Sequence, residues 1–287
     1  MTMAIVLSGG GSLAAAQVGM LQALAAHGVS ADLLVGTSAG ALNAAYLAGR
    51  PWPDGIDELA GLWRSVRRED IFPVRPLTAL RALAGHRDHL VPSGRLRRLL
   101  QSHLAYERLE RAAIPVRIVA TEVTTGAEVV LREGSAVDAV LASVAIPGIF
   151  PPVRIDARDL MDGSVCNNVP VSVARSTGVT DVYVLDAGYA CLLAAPPTSA
   201  LGMVLHALTM LLHRGTEATA AAHPIRVHIP PPLCPLAVSP ADFGHTAELI
   251  ERALISTDAW LQDGCPEYVY GLAHPHDQPA YRQAHAV

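Results

Sequence analysis

The run Leu33-Leu34-Val35-Gly36-Thr37-Ser38-Ala39-Gly40-Ala41-Leu42-Asn43 constrains this chain more than any other. Apolar residues, a small-residue turn and then helix formers read as a strand bent straight into a helix. Gly36-Thr37-Ser38-Ala39-Gly40 fits G-x-S-x-G, the nucleophile elbow. In such a turn the residues two before and two after the serine are driven together, and glycine at both places removes a clash. The following helix aims its N-terminus at the Ser38 hydroxyl, where its positive end favours developing negative charge. A small-residue turn before a buried helix has the same five-residue pattern. The position between strand and helix is what favours catalysis.

A second junction of this kind lies upstream. Ala4-Ile5-Val6-Leu7 reads as a buried strand, Ser8-Gly9-Gly10-Gly11-Ser12 breaks it, and Val18, Leu21 and Leu24 then recur on one helical face. Two strand–helix units in succession predict a parallel sheet with right-handed crossovers, hence an α/β fold. Consecutive glycines expose backbone N–H groups to a ligand, and three uses compete. A P-loop is excluded, because the chain has no lysine at all. A dinucleotide fingerprint is closer, since Gly9-x-Gly11-x-x-Ala14 fits G-x-G-x-x-G/A. That motif wants an acidic residue at the end of the second strand, which here runs into the elbow, with Asp32 at its start. The third use is an oxyanion hole formed by the N–H groups of Gly10 and Gly11. The neighbouring elbow favours it.

Further elements follow from periodicity. Helices are expected over residues 56–66, around Leu77, Leu80 and Leu83, and over 95–104, 136–144, 171–176, 201–212 and 247–261. Residues 116–120 and 128–131 read as a hairpin turned at Thr124-Thr125-Gly126. Short extended pieces are expected at Val153–Ile155 and Leu160-Met161, with strands near 182–185 and 225–229. The helix over 95–104 carries Arg95, Arg97 and Arg98 beside Leu96, Leu99 and Leu100. It reads as an ordinary amphipathic helix with a solvated side; a basic face resting transiently on anionic lipid is the alternative.

Composition narrows the function. Half of the 287 residues are apolar, enough for a sizeable core, with Ala, Leu and Val filling it because aromatics are few. A net charge of −5 gives no pull toward nucleic acid. Cys166, Cys191, Cys234 and Cys265 are scattered, with no C-x-x-C, so neither zinc nor a redox motif is expected. Without a basic stretch and long apolar run at the start, and with an apolar stretch at 201–212 too short to span a bilayer, a cytoplasmic protein is expected.

A serine nucleophile needs a base. None of the 12 histidines sits in a loop context that suggests one, and none belongs to H-E-x-x-H; His206 and His213 share helical spacing, and His274 and His276 lie in the tail. Asp162 is the better candidate, because it ends an extended apolar piece at the sharp turn made by Gly163.

Gly9-Gly10-Gly11, the Gly36–Gly40 elbow and Asp162-Gly163, in this order, resemble the three blocks of the patatin-like phospholipases. Residues 142–152 and 162–170 resemble that family too, and the likeness runs from residue 4 to about Leu261. It implies one patatin-like domain over 1–287, with a core at 4–261 and a loosely packed tail at 264–287. It implies a three-layer α/β/α fold with a mostly parallel central sheet. It implies hydrolysis of lipid acyl esters by a Ser-Asp dyad: Ser38 as nucleophile, Asp162 as base, and Gly9, Gly10 and Gly11 as oxyanion loop, with no cofactor or metal. Leu13 and Ala14 stand where the family usually has a basic residue and another glycine, and Ser164 follows Gly163 where Gly or Ala is commoner. Asn167 and Asn168 are expected to support the Asp162 turn, and Arg154 and Arg158 to be surface residues. Acyl transfer, thioester cleavage and lipid binding without turnover remain as alternatives.

Overall fold

A computed structural model of the protein describes residues 2–73, 88–188, 196–198, 203, 206–207, 210 and 225–266. The helices expected around Leu77–Leu83 and over 201–212, and most of the tail beyond Gly264, lie wholly or largely outside the described residues. The strands are β1 (Met3–Leu7), β2 (Leu33–Thr37), β3 (Val116–Glu122), β4 (Glu128–Leu131), β5 (Val153–Ile155), β6 (Arg158–Asp162), β7 (Asp181–Leu185) and β8 (Arg226–His228). The helices are α1 (Ala15–Ala26), α2 (Ala39–Ala48), α3 (Asp54–Ser65), α4 (Arg68–Ile71), α5 (Gly94–His103), α6 (Ala136–Ser143), α7 (Ser164–Asn167), α8 (Val171–Arg175) and α9 (Thr246–Gln262). Among the described residues, no helix is long and apolar enough to cross a membrane.

The strands form one mixed sheet in the order β5-β6-β3-β2-β1-β7-β8, with β4 also paired to β3. Its centre is parallel, as the repeated strand–helix order requires: β1 pairs with β2 and β7, β2 with β3, and β7 with β8. Both faces are covered, so β2 and β7 are buried through every residue and β1 through all but Met3. Alternate side chains divide between two cores. Ile5, Leu7, Leu34, Tyr183 and Leu185 face one, with α1, α2, α3 and α9 packed over them. Ala4, Val6, Leu33, Val35, Val182 and Val184 face the other, against Val169, Val171 and Val173 around α8. This is the three-layer α/β/α arrangement.

The pairing of β3 positions the site. β4 lies antiparallel along Ile118–Thr121 on one edge of β3. β2 pairs with Val116–Val119 and β6 with Ala120–Glu122, and both overlap the stretch already occupied by β4. β2 and β6 therefore share the opposite edge, end to end. β2 runs parallel to β3 and finishes with Thr37 beside Val119; β6 runs antiparallel and finishes with Asp162 beside Ala120. Two strands from distant parts of the chain thus deliver their last residues to consecutive positions of one scaffold strand.

Close helix packing depends on a small residue. A Cβ on Gly19 of α1 would strike the Ile250 carbonyl and lie 2.7 Å from the Leu254 nitrogen on α9. Gly61 on α3 is exposed, with nothing within 4 Å of the same position. One substitution should therefore have opposite signs at the two sites. Gly19→Ala is expected to destabilise the fold by ~1–3 kcal/mol through overpacking against backbone. Gly61→Ala is expected to stabilise it by ~0.5–1 kcal/mol through helix propensity. Urea unfolding of the two variants beside the parent chain checks both signs.

Candidate active site

The elbow forms at the end of β2. Ser38 adopts φ 52° and ψ −125°, an uncommon left-handed-side conformation for a residue with a side chain. That bend starts α2 at Ala39 and lifts the hydroxyl clear of the sheet. A Cβ on Gly36 would lie 2.5 Å from the Gly40 carbonyl oxygen, and one on Gly40 would strike the carbonyls of Leu7 and Ser8. The glycines are therefore required by space, as the motif implied. The Ser38 N–H donates to Ser143 Oγ (2.8 Å), and that hydroxyl donates to the Val119 carbonyl (2.6 Å), fastening the elbow to β3.

Asp162 arrives from the other direction. Its carboxylate Oδ2 accepts the Ser38 hydroxyl at 2.7 Å, and Oδ1 accepts the Ser164 N–H at 2.8 Å. Its N–H donates to the Ala145 carbonyl (2.9 Å), and its own carbonyl accepts from Thr121 Oγ1 (2.8 Å). Ser38 and Asp162 are only 7% and 4% exposed. Burial pushes the Asp162 carboxyl up to about 6, even though the hydrogen bonds from Ser164 and Ser38 favour its charged form. Such a carboxylate is a stronger base than an exposed one, and is still largely ionised at neutral pH.

The glycine loop passes directly over the pair. A Cβ on Gly9 would strike the Ser164 hydroxyl and lie 3.1 Å from Ser38 Cβ. The N–H of Gly9 donates to the Asn168 carbonyl (3.2 Å), and that of Ser12 to the Pro240 carbonyl (2.8 Å). Among the described residues, the N–H groups of Gly10, Gly11 and Ala39 have no acceptor. Leu13 and Ala14 are fully buried in the core, so the position where the family resemblance expects a basic side chain faces inward here.

A cleft open to solvent is lined at one part by Ser38 and Gly11. Leu42, Trp63, Phe72, Leu96, Phe150 and Phe243 are among its walls. The chain has only three phenylalanines, and all three are here. Phe72 stacks on Phe150 at 5.6 Å and Phe243 on Trp63 at 6.3 Å. Apart from the serine, the lining side chains are hydrocarbon or aromatic, so the cleft suits an alkyl chain next to the reacting hydroxyl.

Asn167, Arg154, Arg95 and Arg97, also singled out in the sequence, have structural partners. Asn167 Nδ2 donates to Glu128 Oε2 (2.5 Å) and Ser172 Oγ (3.0 Å), and its carbonyl accepts from Thr37 Oγ1 (3.0 Å). Arg154 pairs with Asp159 across the β5–β6 turn, and Arg97 with Asp138; Arg95 donates to the Glu69 carbonyl. Sequence reasoning missed Ser143, Gln17 and Asn43. The last two had a signal: each is an amide set among the apolar residues of a mostly buried helix.

The patatin-like phospholipase family model matches residues 5–175. Patatin-like phospholipase domain-containing protein 7 of Mus musculus is 32% identical over 200 residues, 64% of this chain and 13% of that protein. An uncharacterized NTE family protein of Mycobacterium tuberculosis is 32% identical over 192 residues, 64% of this chain and 30% of its own length. The chain thus corresponds to less than a third of the curated relatives it matches. Human GIVD cytosolic phospholipase A2 overlays with a TM-score of 0.48 at 12% identity, covering 91% of this chain and 58% of that one. On the family match, this chain belongs to the patatin-like phospholipases.

Proposed function

We propose that the protein is a serine acyl hydrolase that cleaves lipid carboxylic esters through a Ser38–Asp162 dyad. The observation that carries this reading is the 2.7 Å bond to a buried carboxylate from the hydroxyl of Ser38, a residue that itself lines an apolar cleft. In the reading, Asp162 takes the Ser38 proton as Oγ attacks the ester carbonyl carbon. The carbonyl oxygen becomes an oxyanion and is held by the N–H groups of Gly10, Gly11 and Ala39, with Gly9 shaping the loop. Collapse breaks the bond to the alcohol oxygen, which leaves with the proton from Asp162. A water molecule then gives a proton to Asp162 and attacks the acyl-Ser38 ester. The second collapse releases the carboxylic acid and returns the proton to Ser38 Oγ.

The all-apolar wall supports an acyl chain in the cleft, with the alcohol portion directed to solvent. Among the described residues the lining side chains other than Ser38 are apolar, which suits the acyl portion of the substrate. With the base at about 6 in the free enzyme, kcat/KM should fall about tenfold per pH unit below that value, as Asp162 takes up its proton. Ser38→Ala should abolish hydrolysis of p-nitrophenyl esters, and Asp162→Asn should lower kcat/KM by ~10²–10⁴-fold. A pH profile flat through 6, or an Asp162→Asn variant close to wild type, contradicts the reading.

Stability should move the other way. The native carboxyl keeps its proton up to about pH 6, whereas an unfolded aspartate releases it near 4. The native state binds the extra proton between these values, so stability declines as pH rises through that window and the buried charge remains a cost above it. Asp162→Asn removes the charge and keeps an acceptor for the Ser164 N–H. It is expected to raise stability at pH 7 by roughly 1–3 kcal/mol, with the gain vanishing below about pH 4. Thermal unfolding at pH 7 and pH 4 measures both.

A further inference from the structure

A buried chain of hydrogen bonds links the wall of the cleft to the glycine loop. It starts at Trp63 on α3, whose ring lines the cleft. The indole N–H is the ring's one polar group, and it donates to Asn43 Oδ1 on α2 at 2.8 Å. Asn43 Nδ2 donates to Gln17 Oε1 on α1 at 2.9 Å and to the Ala14 carbonyl at 3.1 Å. Gln17 Nε2 donates to the carbonyls of Ser8 (2.8 Å) and Leu185 (3.0 Å). Ser8 immediately precedes Gly9-Gly10-Gly11. Its hydroxyl donates to Asp186 Oδ1 (3.0 Å) and accepts from the Ala187 N–H (2.8 Å). A Cβ on Gly10 would lie 2.5 Å from the Ala187 Cβ, so the same segment closes the far side of the loop.

The chain has a fixed polarity. An indole N–H can only donate and a peptide carbonyl can only accept. Between those two ends each amide has one orientation that pairs every group, with nitrogen toward the loop and oxygen toward the cleft. Gln17 and Asn43 are fully buried and Trp63 is 6% exposed, so no water competes for these bonds. A reversed amide would leave donors and acceptors unpaired in the core, which makes the chain move as a unit.

We propose that Trp63, Asn43 and Gln17 are positioning residues that couple acyl-chain occupancy of the cleft to the geometry of the oxyanion loop. This rests on the reading of Ser38 as the nucleophile and of the cleft as the acyl site. A chain packed on the Trp63 ring holds the indole in place. The indole fixes the Asn43 and Gln17 amides, and they fix the Ser8 carbonyl behind the N–H groups of Gly10 and Gly11. An acetyl group is too short to restrain the ring. Contacts remote from the ester thereby contribute to kcat as well as to KM.

The test compares p-nitrophenyl acetate and octanoate on wild type, Trp63→Phe and Gln17→Met, with thermal midpoints to confirm folding. Trp63→Phe keeps an aromatic wall but has no N–H. In wild type kcat should rise about tenfold or more from acetate to octanoate, part of the ~10²–10³-fold worth of a hole donor. In each variant the rise should disappear, while KM for octanoate stays within about threefold of wild type. The double variant should lose no more than either single one, because the groups act together. A kcat rise retained in Trp63→Phe, a loss confined to KM, or additive losses overturn the coupling.

A second measurement needs no substitution. Hydrogen exchange of the Trp63 indole N–H, followed by NMR, should be slower in the Ser38 adduct of an octyl phosphonate than in that of a methyl phosphonate. Equal exchange in the two adducts overturns the coupling alone. Failure of the phosphonates to modify Ser38, with no Ser38-dependent ester hydrolysis, overturns the underlying hydrolase reading instead.

Discussion

The edge of β3 is the constraint on which the site depends. Two strands approach it from opposite directions and stop one residue apart, one ending in the elbow and the other in Asp162. Backbone pairing, more than side-chain reach, sets the distance between the hydroxyl and the carboxylate. A short aspartate suffices because register has already brought its Cα beside the elbow. Ser143 and Thr121 tie the two strand ends to the same scaffold. The Ser38–Asp162 contact is thus an outcome of sheet topology, and segments over 120 residues apart in sequence meet with little freedom to drift.

Burial of Asp162 has two consequences with one cause. Removing the carboxylate from water raises its proton affinity toward the range useful at neutral pH, and places an ionised group where the fold would prefer a neutral one. The hydrogen bonds from Ser38 and Ser164 offset part of that cost without cancelling it. The same dry surroundings strengthen any interaction between loop N–H groups and an oxyanion. Under the proposed role of Asp162 as base, stability and reactivity therefore oppose each other at this residue.

Much of the site was legible in the sequence because its backbone geometry admits few residue types. Gly36 and Gly40 stand where a Cβ meets backbone, and the strand–helix punctuation around them gave the parallel sheet. Asp162 showed itself through the turn at Gly163. Less accessible was the division of labour in the glycine loop: the Gly9 N–H is taken by Asn168, leaving those of Gly10 and Gly11 without an acceptor among the described residues. That depends on a contact 159 residues away in sequence. The cleft was also hidden, because Trp63, Phe72, Phe150 and Phe243 converge from four separate segments with no shared periodicity. Gln17 and Asn43 went unread because their partners lie on separate elements that only the fold brings together.

The central claim is that one hydroxyl, activated by one aspartate, is the reacting group. Peptide mass mapping after treatment with an alkyl fluorophosphonate tests it most directly, run on wild type and on Asp162→Asn at neutral pH. The account requires a single adduct on the peptide carrying Ser38 in wild type, and markedly slower formation of that adduct in the variant. An adduct on another residue, or equal rates at Ser38 in both proteins, would contradict it.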